Sequence, residues 1–258
     1  MCKVLVIGDG CKDVFRYGKC DRLSPEAPVP IFKPVFSASN GGMAVNVFKN
    51  LQALGVECDI VTDSGITKTR FVDEVSNQML LRVDEHDEVE GIEYSKLLTV
   101  DYDKYDAVVI SDYNKGFLSE DDIEYIGKKH PVVFMDTKKK MGKWVNDIFC
   151  IKINNKEYQA NVDASFMTNY RNHLIITEGK NGARWIHSDG YNKFSKLYRI
   201  ESEHPVRDLS GAGDTFIAAL VADYIKNKDM GTAIMFANKC ASWVVTQKGV
   251  VTVDITKI

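Results

Sequence analysis

The run Asp208-Leu209-Ser210-Gly211-Ala212-Gly213-Asp214-Thr215-Phe216 places two glycines and a carboxylate ahead of a stretch that reads as a helix from Ala218 to Lys226. Such a loop can hold a phosphate. Gly211 and Gly213 let the backbone turn tightly, so that successive N–H groups of Gly211, Ala212 and Gly213 point at an anion against the positive end of the helix dipole. Asp214 then sits where an acceptor hydroxyl would arrive. A helix N-terminus favours its charged form, so it is expected to be ionised and able to take a proton during phosphoryl transfer. The plainer reading of the same residues is a glycine turn with an N-capping aspartate.

Further polar and glycine residues gather just after apolar runs. Gly8-Asp9-Gly10-Cys11-Lys12-Asp13 offers two carboxylates that could accept from sugar hydroxyls, or could be an ordinary loop. Gly41-Gly42 opens the stretch to Leu54, where Asn46 offers both donor and acceptor to a polyol riding against the backbone. Asp112, Tyr113, Lys115 and Gly116 follow one run, Asp136 and Lys138 the next, and Asn154-x-x-Glu157 the one after.

The elements that must carry these residues are short buried strands at Lys3–Ile7, Asp59–Thr62, Ala107–Ser111, Val132–Met135, Phe149–Ile153 and His173–Thr177. Helical periodicity lies between most of them: Ala44–Leu54, Ser119–Lys128 with a serine cap and acidic first turn, Ala218–Ile225 and Ala233–Val245. Alternating strands and helices predict a mostly parallel sheet covered on both faces, with ligands at the carboxyl ends of its strands. Val29–Phe36, among prolines, and a hairpin of Thr67–Val75 with Met79–Asp84 turned at Ser76-Asn77-Gln78 fall outside that core and predict a small β lid. The Lys138-Lys139-Lys140 run reads as a solvated loop.

Composition sets outer bounds. A chain of 258 residues, 45% hydrophobic and 27% charged, can bury a full core as one domain. A net charge of −3 provides no broad basic field for nucleic acid. No apolar run is long enough for a membrane span and no signal-peptide pattern opens the chain, so a cytoplasmic location is expected. The cysteines Cys2, Cys11, Cys20, Cys58, Cys150 and Cys240 form no C-x-x-C pair and read as free, mostly core thiols. The histidines lack ligand spacing, so no transition-metal site is expected.

The glycine pair with Asn46, Asn154-x-x-Glu157, Thr177-x-Gly179-x-x-Gly182 and the Gly-Ala-Gly-Asp box resemble, in order and rough spacing, the PfkB (ribokinase-like) carbohydrate kinases across nearly the whole chain. Arg22-Leu23-Ser24-Pro25-Glu26-Ala27-Pro28-Val29-Pro30, Ser76–Asp84 and Ser111–Gly116 are further similar to the D-glycero-β-D-manno-heptose 7-phosphate kinases, which make the 1,7-bisphosphate on the route to ADP-heptose for lipopolysaccharide core. The resemblance implies an α/β, ribokinase-like three-layer sandwich over residues 1–258, with lid strands at about 25–36 and 67–84. It implies an ATP-dependent kinase acting on the anomeric hydroxyl of a heptose 7-phosphate. The rivals are a kinase of another sugar or sugar phosphate, and a non-catalytic binding module of the same fold.

Carried over by position, the resemblance implies Asp214 as general base and the Gly211, Ala212 and Gly213 amides as anion hole. Asp9, Asp13, Gly41, Gly42, Asn46 and Asp112 would bind the sugar, with Arg82 and Lys115 on its distal phosphate. Asn154 and Glu157 would organise Mg²⁺, partly through water; Asn154, Thr177, Gly179 and Gly182 would line the ATP side, and Asn238 the base. A monovalent cation is a further candidate cofactor. After Thr62-Asp63-Ser64-Gly65 the family usually inserts another helix and strand, whereas here Thr67 starts the hairpin at once. That shortening is expected to uncover an apolar face and to favour a homodimer through the lid or the bared sheet edge. Leu209-Ser210 replaces the commoner threonine pairing before the glycine box. The nucleotidyltransferase domain fused to some heptose kinases has no counterpart here, so adenylylation is expected to fall to another protein.

Overall fold

Apolar residues alternate with a period of two through the central strands. In β1 (Lys3–Lys19), Val4 and Val6 oppose Leu5 and Ile7; in β5 (Ala107–Asp112), Ala107 and Val109 oppose Val108 and Ile110, and all eight are buried. With both sides apolar, the sheet has to be covered on both faces. The computed structural model, which describes residues 2–161, 166, 170–188, 193–200 and 205–258, shows how. One face packs on α1 (Ala44–Ala53), α5 (Ala212–Asn227) and α6 (Met230–Val244), and the other on α2 (Tyr94–Leu98), α3 (Glu120–Lys129) and the turn at Trp144–Val145.

The remaining strands are β2 (Lys33–Met43), β3 (Glu57–Asp73), β4 (Met79–Glu85), β6 (Val133–Thr137), β7 (Cys150–Asn154), β8 (His173–Thr177), β9 (Ala183–Ser188) and β10 (Lys193–Tyr198); α4 (Asn155–Asn161) follows β7. The sheet runs β10-β9-β8-β7-β6-β5-β1-β3-β4, with β2 also on β1. From β3 to β8 the pairings are parallel, and the β9–β10 hairpin closes one end antiparallel. This is the ribokinase-like three-layer α/β architecture expected from the sequence. Among the described residues no helix is long and apolar enough to cross a membrane.

The lid differs from expectation in how it is joined to the core. Lys3–Ile7 and the loop after it form one 17-residue strand, and so do Asp59–Thr62 and the first arm of the hairpin. The β1–β3 ladder runs from Lys3↔Glu57 to Gly18↔Asp73 and shifts register only between Asp9 and Cys11. Beyond that bulge, β2 and β4 add on either side, antiparallel. Residues 25–32 are turns with a single Leu23↔Pro30 bridge; prolines there lack the N–H a ladder needs, so the lid strand begins at Lys33. The glycine-box helix begins at Ala212, six residues earlier than the apolar period suggests, and Gly41-Gly42 closes β2 instead of forming a loop. The β9–β10 hairpin and α2 were not anticipated from periodicity. At the core end of β3, Glu57 and Asp59 ion-pair with Lys3 at 3.3 and 2.9 Å, which puts charge on that side of the sheet.

Gly8 lets β1 pass close to β5, since a Cβ there would stand 2.0 Å from the Ser111 carbonyl oxygen. Gly8→Ala should therefore lower unfolding stability by about 3 kcal/mol in urea denaturation, the upper range for overpacking a core, and shift Asp9 with it.

Candidate active site

The first turn of α5 supplies the anion-facing amides. Its N-cap, Gly211, is left-handed at φ 79°, and a Cβ there would meet the Asn46 Nδ2 at 2.7 Å. Ala212, Gly213 and Asp214 are then the first three helical residues, whose N–H groups have no acceptor one turn back within the helix. Asp208 ties the preceding loop down, accepting from the amides of Ser210 (2.8 Å) and Gly249 (3.2 Å).

Asp214 is 4% exposed, and each oxygen has its own donor: Tyr113 OH gives to Oδ1 at 2.6 Å and Asn46 Nδ2 to Oδ2 at 3.0 Å. Asn46 is itself oriented by Asn50, which donates to its Oδ1 at 3.1 Å and its carbonyl at 2.8 Å. Burial pushes the Asp214 carboxyl up to about 6, the two hydrogen bonds only partly offsetting it. Desolvation outweighs the helix dipole, so the carboxyl is expected to ionise nearer neutrality than an ordinary aspartate while still being charged above about pH 6. Burial also raises the Tyr113 phenol well above its ordinary range, so it remains a donor.

Strand ends converge below this helix. Asp9 accepts from the backbone amides of Tyr113 (2.6 Å), Lys115 (3.3 Å) and Phe117 (3.3 Å), and desolvation raises its carboxyl. Asp112 accepts from Thr137 Oγ1, from Lys139 Nζ at 2.6 Å and from the Asn114 amide at 3.1 Å. In this state both carboxylates organise the loop after β5. Lys139 is thus bonded to Asp112, and Lys138 bonds Glu157 and lies 3.6 Å from Asp136 and 5.2 Å from the centre of the Tyr113 ring; the solvated-loop reading holds only for Lys140. Lys152 and Asp136 form a buried pair at 2.6 Å, and a Cβ on Gly213 would stand 2.9 Å from the Lys152 ammonium. Lys152 was missed in the sequence, although a lone charge within the apolar run Cys150–Ile153 is the signal that could have found it.

Asn154 and Glu157 cap each other, the Glu157 amide donating to Asn154 Oδ1 at 2.9 Å and the Asn154 amide to Glu157 Oε2 at 2.8 Å. Among the described residues no cluster of three or more His, Cys, Asp or Glu is placed to hold a metal. The amide and carboxylate oxygens suit a hard cation that keeps most of its water, and the buried Asp136 Oδ1, without a hydrogen bond, adds an oxygen nearby.

On the other side of Asp214, Asp13 is buried against Arg70, and Gly42 lies under it, with 2.2 Å between a hypothetical Cβ and Asp13 Oδ2. Gly41 and Asn46 line a cavity of about 340 Å³ with Asn40, Lys49 and Val250–Thr252. Arg82 is held in bidentate fashion by Asp84 at 2.6 and 2.5 Å and is 40% exposed; Lys115 is bonded to Asp87. Thr177, Gly179 and Gly182 form the turn joining β8 to β9. Asn238 donates to the Tyr198 carbonyl at 2.9 Å and borders a larger cavity of about 890 Å³, between β9–β10 and α6, with Trp185, Trp243 and Lys239 in its wall.

Residues 134–257 match the family described as pfkB family carbohydrate kinase. Over 99% of its length the chain is 30% identical to the bifunctional protein HldE of a Nitratiruptor species, and over 96% to that of Helicobacter acinonychis, again at 30%. It spans 64% of the length of each of these curated relatives. Among solved structures, ribokinase of Thermotoga maritima superposes with a TM-score of 0.75 at 14% identity, covering 98% of this chain and 97% of that one. Arabidopsis thaliana ribokinase complexed with ribose and ATP gives 0.71 at 14%, covering 100% and 98%.

A carboxyl whose folded value is raised to about 6 favours the folded state while protonated, so its contribution is complete below about pH 4 and lost as pH rises through 6. Asp214→Asn should therefore be more stable than wild type by about 3 kcal/mol at pH 8, with the difference closing below pH 4 in denaturant titrations at both pH values.

Proposed function

We propose that this chain, which carries a PfkB-family carbohydrate kinase domain and is an ATP-dependent phosphotransferase of that family, phosphorylates the anomeric hydroxyl of D-glycero-D-manno-heptose 7-phosphate. The observation that carries the chemistry is the buried Asp214 carboxylate, held by Tyr113 and Asn46 in the first turn of α5. The acceptor is supported by the three strings similar to heptose 7-phosphate kinases and by the likeness to proteins named bifunctional HldE.

Asp214 takes the acceptor proton as the hydroxyl oxygen attacks the γ-phosphorus of ATP and the bond to the leaving ADP oxygen breaks; the Gly213 amide, and that of Ala212 in exchange for the Leu209 carbonyl, donate to the oxygens of the moving phosphoryl group. The Lys152 ammonium beneath Gly213 presents there the positive end of its pair with Asp136. Tyr113 and Asn46 fix the carboxylate, so the base is aimed before the acceptor arrives. The ATP base fits the cavity bordered by Asn238, with Thr177, Gly179 and Gly182 along the phosphates. Asn154 and Glu157 would hold Mg²⁺, which when bound neutralises charge between the phosphates. A monovalent cation near the glycine box is tested in the same assay. The lid excludes water, the competing acceptor.

We also propose a homodimer in which lid faces meet. Phe36 on β2 and Met79 and Leu81 on β4 are more than half exposed, an apolar surface of the lid that a second copy would cover. Sedimentation at micromolar concentration should give twice the chain mass, and a stable monomer would remove the dimer.

A product assay with ATP, Mg²⁺ and sugar 7-, 6- and 5-phosphates should show transfer to the heptose 7-phosphate above the others. Asp214→Asn should lower turnover by roughly 10²–10⁴, leaving ATP affinity within a small factor. Near-wild-type turnover in that variant would dismiss the base assignment, and ATP turnover with no sugar phosphate would dismiss the acceptor.

A further inference from the structure

Four cations and three carboxylates share one face of the lid. Lys68 and Arg70 stand two residues apart on β3, across the ladders from Asp13 on β1 and from Arg82 and Asp84 on β4; Asp87 and Lys115 come from the loops after β4 and β5. Three cations are taken: Arg70 by Asp13, Arg82 by Asp84 and Lys115 by Asp87. Lys68 is left over. Its ammonium stands 3.9 Å from Asp84 and 3.7 Å from Asp87, beyond hydrogen-bond reach of both, and its side chain is only 9% exposed. Asp87 Oδ1, the atom it approaches, is itself buried without a hydrogen bond. An ammonium held only by two loose ion pairs, on a side chain that is otherwise covered, keeps its donors for an incoming anion.

The surroundings indicate which anion that is. On the β1–β3 ladder Cys11 pairs with Ile66 and Asp13 with Lys68, so the surplus cation stands one step along β3 from Cys11 and Ile66. Cys11 and Ile66 pack in one cluster with Val89 and Tyr113, and Tyr113 is the residue bonded to Asp214. An acceptor with its reacting hydroxyl at Asp214 extends from there toward Lys68. We infer that Lys68, flanked by Arg70 and Lys115, anchors a phosphate monoester at the end of the acceptor remote from the reacting hydroxyl. Arg82 is not that anchor, because Asp84 already fills its fork. This assignment rests on the sugar-phosphate kinase reading and names its specificity residue.

The test uses wild type, Lys68→Met and Lys68→Arg, each saturated with a non-hydrolysable ATP analogue to cover the glycine-box amides and titrated with inorganic phosphate by calorimetry. Acceptor and ATP kinetics are measured separately with heptose 7-phosphate. In phosphate-free buffer Lys68→Met should melt at or above the wild-type temperature, because it removes a charge without hydrogen bonds. Its phosphate affinity should fall at least about tenfold and its acceptor KM rise by about 10²-fold, with KM for ATP unchanged and Lys68→Arg keeping most of both. A Lys68→Met protein that is less stable without phosphate, or binds phosphate as wild type does, overturns the inference. If phosphate binding depends on Lys68 but no sugar phosphate is turned over, the anion subsite stands and the kinase reading of its acceptor falls. Turnover of heptose 7-phosphate indifferent to Lys68 does the reverse.

Discussion

The Asp214 carboxylate is removed from water, yet ionised within reach of neutral pH, and much of the site follows from holding it so. A buried carboxylate needs donors on both oxygens, and here they come from separate parts of the chain: Asn46 on α1 and Tyr113 after β5. Asn46 needs Asn50 to orient its amide, and Tyr113 needs Asp9, whose carboxylate gathers the amides of the loop that carries it. Loss of any of these support groups would loosen the base without touching it.

Charge is distributed around that centre in two unequal sets. On the nucleotide side, Asp136, Lys138, Lys152 and Glu157 form a chain of pairs. On the lid side, the ion pairs of Asp13, Asp84 and Asp87 leave a cation over. A balanced network stabilises a loop, whereas an unbalanced one in a cleft prepares for a charged visitor.

The sheet core was legible because its signal is local: β8 begins and ends where the apolar run His173–Thr177 does, and the Ser119 cap with Asp122 sets the start of α3 within a residue. The glycine box marked Asp214 for the same reason. What escaped is set by contacts distant in sequence. That β1 continues through Gly8–Asp13 depends on β3 running beside it, and no window of a dozen residues carries that information. The bonds of Asp9 to the amides after β5 and of Asp112 to Lys139 were not legible, because a carboxylate at a strand end looks the same in sequence whatever donors it meets. The pairing of Lys152 with Asp136, across neighbouring strands, was invisible for the same reason.

Because β1 and β3 each run unbroken from the core into the lid, the lid is not a flap on a flexible tether. It behaves as a cantilevered ribbon clamped at the sheet, and the one register shift of its β1–β3 spine lies beside Asp9. Bending there strains the residue whose carboxylate positions Tyr113, so tilting the ribbon and aiming the base become one mechanical coordinate. A molecule that presses on the far end of the ribbon thereby adjusts the geometry of proton transfer at its root.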